Sequence, residues 1–113
     1  MKLPIDKALF NNFIIQSNIF ELTQKMMYQY LDSWYKDEPK QFIVSMGTDF
    51  DTVIQTYHFF NEIVSFNKNF NFDPPMDTIS CIIRISDAED ICCTNYKAVF
   101  DYNLQAIDDY LFS

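Results

Sequence analysis

A chain of 113 residues with a single glycine, Gly47, and four prolines has few places to reverse tightly. Tight turns lean on residues that accept φ > 0, and glycine alone does so at no steric cost. A turn-rich β-sandwich or barrel is therefore disfavoured. The placement of these residues sharpens the point. Pro4 and Pro39 stand where a first helical turn begins, and Pro74-Pro75 follow Asp73, an N-cap candidate. Gly47 stands where a helix ends. This punctuation predicts an all-α chain.

Neither Gly nor Pro occurs after Pro75. Within that run Ser86-Asp87-Ala88-Glu89 has the spacing of a capping box, which predicts one long helix from Ser86 to Ser113. Wound at about 100° per residue, Asp87, Asp90, Thr94, Lys97, Asp101, Gln105 and Asp108 share one narrow stripe. Apolar residues such as Ile91, Tyr96, Val99, Phe100, Leu104 and Ile107 fill most of the remaining arc. So broad an apolar surface belongs at the centre of a bundle. The expected fold is a compact single-domain, all-α bundle of about five to six helices around a long, largely buried C-terminal helix, with 1–113 as one globular domain.

The earlier helices follow from the same signals. The first is expected from about Pro4 to Ile15. Ser17-Asn18-Ile19-Phe20-Glu21 gives a break and a restart, and the second runs to about Tyr35. The third spans Pro39 to Met46. A fourth, capped by Thr48, carries Phe50, Val53, Ile54, Tyr57, Phe60 and Val64 at helical spacing. Residues 67–72 read as a loop, and a fifth helix runs from Pro74 to about Ile85. A competing α+β reading places short strands near 41–46 and 78–85, because Ile79, Cys81, Ile83 and Ile85 alternate.

Sixteen acids against eight bases give a formal charge of −8. The charge is uneven: residues 73–113 hold Arg84 and Lys97 against eight acids, a net of −6. Such a field repels phosphate backbones and anionic membranes, and it attracts basic proteins. Three cysteines without paired spacing suggest reduced thiols in the cytoplasm. Residues 1–7 have no apolar segment of the kind a secretory leader carries, and no apolar run reaches bilayer-spanning length.

Motifs for catalysis are weak, and the expected class is non-enzymatic. The single histidine, His58, is flanked by Tyr57 and Phe59 and reads as structural rather than as a general base. One glycine cannot build a phosphate-cradling loop or a dinucleotide turn. Asp49-Phe50-Asp51 begins like a calcium loop, but Val53 and Ile54 occupy the positions that need an oxygen ligand and glycine. Cys92-Cys93, with Cys81 and His58, make no zinc set. No cofactor and no metal is expected.

Recognition remains. Asp108 and Asp109 lie where a helix C-terminus disfavours negative charge, and no nearby base offsets them. The expected partner-binding residues are Asp101, Asp108, Asp109 and Tyr110, with Asp87 and Asp90 of the first turn and the loop aromatics Phe70 and Phe72. The expected function is that of an immunity protein: a monomer that covers the cationic cleft of a cognate nuclease toxin in a heterodimer. Nucleic acid and membrane are not expected partners. The regular spacing of acids along the stripe suggests one alternative, a phage or viral nucleic-acid-mimicking inhibitor of a host defence enzyme, and a helical module with an apolar groove is the other.

Overall fold

The computed structural model describes residues 4–113. Residues 1–3, part of the stretch read as lacking a leader segment, lie outside the described residues. Helices come first: α1 (Lys7–Ser17), α2 (Ile19–Asp37), α3 (Pro39–Met46) and α4 (Phe50–Thr56). Four strands follow: β1 (His58–Asn69), β2 (Met76–Ser86), β3 (Cys92–Phe100) and β4 (Ala106–Phe112). They form one antiparallel sheet in the order β1-β2-β3-β4. The fold is therefore α+β, and the expected all-α bundle is wrong from residue 58 onward.

The helical half obeys its local signals. Asp6 caps α1, its Oδ1 accepting from the N–H groups of Ala8 at 2.9 Å and Leu9 at 3.2 Å. Asn18, at φ 50°, makes the left-handed joint between α1 and α2. Pro39 opens α3 and Gly47, at φ 92°, ends it. The cap of α4 is Asp49 rather than Thr48, its carboxylate accepting from the Thr52 N–H at 2.9 Å.

The other half departs from expectation for identifiable reasons. The fourth helix stops at Thr56, and His58 to Val64 lie in β1. That strand has an irregularity between Asn61 and Ile63. Its helix-facing side chains are therefore Phe59, Asn61, Val64 and Phe66, so Phe60 and Val64, expected on one helical face, lie on opposite sides of the sheet. The expected fifth helix is β2: the competing strand at 78–85 lies inside it, whereas 41–46 is helical. The expected long helix is a pair of strands, β3 and β4, with turns before each.

Both of those turns do without glycine by the same device. Asp87 Oδ1 accepts from the N–H groups of Glu89 (2.9 Å) and Ile91 (3.0 Å), and Asp90 takes φ 64°. Asp101 Oδ1 accepts from Asn103 (2.8 Å) and Gln105 (3.0 Å), and Leu104 takes φ 61°. Each aspartate organises the loop through its own backbone, while a non-glycine residue accepts the left-handed position.

All the helices lie on one face of the sheet. Ile19, Thr23, Met27 and Leu31, a four-residue stripe on α2, are fully buried. They meet Ile79, Cys81, Ile83 and Ile85 of β2 and Tyr96, Ala98 and Phe100 of β3. Each such large apolar side chain contributes about 1.5–3 kcal/mol by leaving water. Thr23 is satisfied inside this layer, its hydroxyl donating to the Ile19 carbonyl at 2.7 Å. Phe42 of α3 closes the helical layer, with ring centroids 4.9 Å from Trp34 and 5.1 Å from Tyr35. Among the described residues no helix is long and apolar enough to cross a membrane.

Candidate functional site

A four-stranded antiparallel sheet needs cover on only one face. Here the second face stays open, and strand register sets its rows. Phe60, Arg84, Asn95 and Phe112 stand side by side across the four strands. The next row is Ile63, Ile82, Lys97 and Tyr110, and the third is Ser65, Ser80, Val99 and Asp108. Ile63 is 47 % and Tyr110 38 % exposed, so apolar surface lies open to solvent in the middle row.

The cations of this face are aligned with its aromatics. The Arg84 guanidinium lies 4.5 Å from the Phe60 ring centroid, and Lys97 Nζ lies 5.7 Å from that of Tyr110. Both distances are within cation–π reach. Arg84 Nε is also 3.9 Å from Glu62 Oε2. Towards the β1–β2 loop the face dips into a cleft of about 350 Å³. Thr78 and Ser80, both buried, form its floor, and Phe72, Lys97 and Tyr110 are among its walls. Asn67 Nδ2 donates to Ser80 Oγ at 2.9 Å and fixes that floor.

The residues singled out from sequence do not form one helical stripe, because β3 and β4 fold back on each other. Asp108 and Tyr110 come together on the open face, beside the cleft that Phe72 also lines. Phe72 is 50 % exposed and Phe70, beyond the cleft in the β1–β2 loop, 76 %. Asp109 lies on the opposite, helix-facing side, where its Oδ2 accepts from the Tyr96 hydroxyl at 2.6 Å. Asp101 sits in the turn before β4, and Asp87 and Asp90 occupy the turn at the far end of the sheet. Charge thus collects at both ends of the sheet: Asp87, Glu89 and Asp90 at one, Asp73 and Asp101 at the other.

Phe60, Ile63 and Arg84 were not foreseen as surface residues, and Lys97, expected on the polar stripe of a helix, lies instead on the open face of the sheet. Their signal was present as the outward half of the alternation through Ile82 and Arg84. His58 opens β1, with Nε2 3.8 Å from Asp90 Oδ1, beyond hydrogen-bond length. All three cysteines are free. Burial pushes the Cys81 thiol up to about 11, and burial, with the nearby Asp87 charge, raises that of Cys93. Among the described residues no group of three or more His, Cys, Asp or Glu side chains is placed to hold a metal ion.

Further concavities lie on the helix side, among them one of about 320 Å³ where Trp34 and Met46 meet Cys93 and Leu111. An apolar cleft of about 700 Å³ separates α1 from β1, with Leu9, Phe10, Phe13 and Phe66 among its walls. A smaller one lies between α2 and β4 beside Asp109. Comparison with protein-family models, curated proteins and solved structures finds no match for this chain.

Proposed function

We propose that this protein is a non-enzymatic inhibitor that binds a basic protein through the open face of its sheet. The observation that carries this reading is the uncovered row Ile63-Ile82-Lys97-Tyr110, apolar and aromatic in character, between two acidic sheet ends. A largely apolar centre with Tyr and Arg nearby and charge at the rim is the anatomy of a protein interface. The rim sets the sign of the partner, since residues 73–113 carry Arg84 and Lys97 against eight acids. A cationic nuclease-type toxin, whose working surface must attract polyanions, is the partner class that this charge suits best. That is the role of an immunity protein acting in the cytoplasm, where three free cysteines remain reduced. The acidic stripe that motivated the nucleic-acid-mimic alternative does not form, since 86–113 is not helical.

A photo-crosslinking residue placed at Ile63 in cells of the native host, with a second placed at Ile15 of α1 as control, tests the reading. The expected adduct is specific to Ile63 and contains a basic protein. Purified, that protein binds the wild type with an association rate that falls steeply with salt. Ile63→Ala and Tyr110→Ala each weaken binding about tenfold or more. Equal crosslinking from both positions, or an association rate indifferent to salt, overturns the proposal.

A further inference from the structure

The cleft between α2 and β4 holds a combination of groups that the open face does not explain. Met26, Gln29, Tyr30, Ser33 and Trp34 recur at three- and four-residue spacing along one side of α2, and β4 contributes Asp109. Together they line about 410 Å³, within the range of small-molecule sites. We propose that this cleft binds a small organic ammonium ion, with Asp109 as the counter-charge and Tyr30 and Trp34 as aromatic walls.

Three features of the site support this ligand class. The first is charge. None of the ion pairs among the described residues involves Asp109. Its one hydrogen bond from a side chain is donated by the buried Tyr96, which fixes the carboxylate on β4. A carboxylate has capacity for further donors beyond one phenol. The second is aromatic surface. The Tyr30 ring meets Tyr96 at an interplanar angle of 62°, and Trp34 meets Phe42 at 64°. Neither ring is used up in a face-to-face stack, so ring faces remain for a cation. The third is the rest of the lining. The Met26 thioether suits alkyl groups on nitrogen, and the exposed Ser33 and Gln29 offer oxygen acceptors at the mouth. An anionic ligand would meet Asp109 with the wrong sign. This site lies across the sheet from the open face and does not depend on the partner proposed for that face.

Trp34 is the only tryptophan in the chain, so its emission reports on the cleft directly. Choline and butylammonium are titrated separately, each against a neutral analogue of the same shape, 3,3-dimethylbutan-1-ol and butan-1-ol. Saturable change with at least one cation, and affinity about tenfold or more below it for the matching alcohol, is the expected result. Asp109→Asn keeps an oxygen to accept from Tyr96 but removes the charge, and it is expected to cost about tenfold in cation affinity. Ser33→Lys alters an exposed position and places a tethered ammonium in the cleft, so it is expected to abolish binding of the free cation even if the Asp109 variant does not fold. Equal affinity for a cation and its alcohol overturns the proposal. So does a Ser33→Lys protein that binds as the wild type does, or the lack of saturation by either cation up to about 50 mM.

Discussion

The Tyr96 hydroxyl donates a 2.6 Å hydrogen bond to Asp109 Oδ2 across the β3–β4 pair. Tyr96 is fully buried, while Asp109 keeps partial contact with solvent. Removing either partner therefore has unequal consequences. Asp109→Ala strands a buried phenol and is expected to cost about 1–3 kcal/mol. Tyr96→Phe removes donor and desolvation cost together, leaving a carboxylate that water still reaches, and should cost less. Urea denaturation of the two variants gives the order, and the reverse order contradicts this account.

The same burial makes the fold sensitive to alkali. Desolvation first, then the Asp109 hydrogen bond and charge, raise the Tyr96 phenol above its ordinary value of 10.0. Burial raises the Cys81 thiol from 9.0 to about 11. In both cases the folded protein keeps a proton that the unfolded chain releases. Their stabilisation is whole below about pH 9, then declines as pH rises through the unfolded thiol and phenol values. The urea midpoint is expected to be level between about pH 7 and 8 and to drop by about pH 10.5. Cys81→Ala should reduce the first part of that drop.

The two glycine-free turns predict opposite responses. Asp101→Ala removes acceptors from two backbone N–H groups and is expected to destabilise by about 1 kcal/mol. Asp90 is exposed at φ 64°, a conformation that glycine adopts without strain. Asp90→Gly is therefore expected to stabilise by about 0.5 kcal/mol. Thermal melting of both variants measures the difference.

Thiol reactivity should rank by burial. Cys92 is exposed, Cys93 partly covered and Cys81 fully buried. Iodoacetamide at mildly alkaline pH is expected to label Cys92 first and Cys93 more slowly, because its thiol is raised by burial and by Asp87. Cys81 should react only on unfolding. Peptide mapping over time reads the order.

At the far side of the core, Gly47 and Phe42 test the helical layer. A Cβ on Gly47 would lie 3.2 Å from the Tyr57 hydroxyl, at a backbone φ of 92°. That hydroxyl donates to the Met46 carbonyl and ties the end of α3 to the entry of β1. Gly47→Ala is expected to cost about 1–2 kcal/mol and Phe42→Ala about 3–5 kcal/mol by chemical denaturation.

The sequence by itself determined most of the helical half. Asn18, Pro39 and Gly47 act through their own backbone or nearest neighbours, so their meaning is local, and at α4 the cap lies one residue beyond the expected Thr48. It also determined the alternation of Ile79, Cys81, Ile83 and Ile85, which was legible but was outweighed by Pro74-Pro75 and the single glycine. Ser86-Asp87-Ala88-Glu89 reads as a helix start, and Asp87 and Asp101 read as members of one helical stripe, yet each aspartate closes a turn. A side-chain oxygen that accepts backbone N–H groups can start a helix or close a turn, and only the partners beyond the loop distinguish the two. Tertiary structure made that choice. Tyr96 and Phe100, which a helix would leave on a diffuse apolar arc, align with Ile83 and Ile79 when β3 pairs with β2, and α2 buries all four at once. The same pairing sent Asp108 and Asp109 to opposite faces of the sheet, because consecutive residues on a strand alternate. The open face, with Lys97 beside Tyr110, and the cleft around Asp109 exist only after that long-range pairing is made.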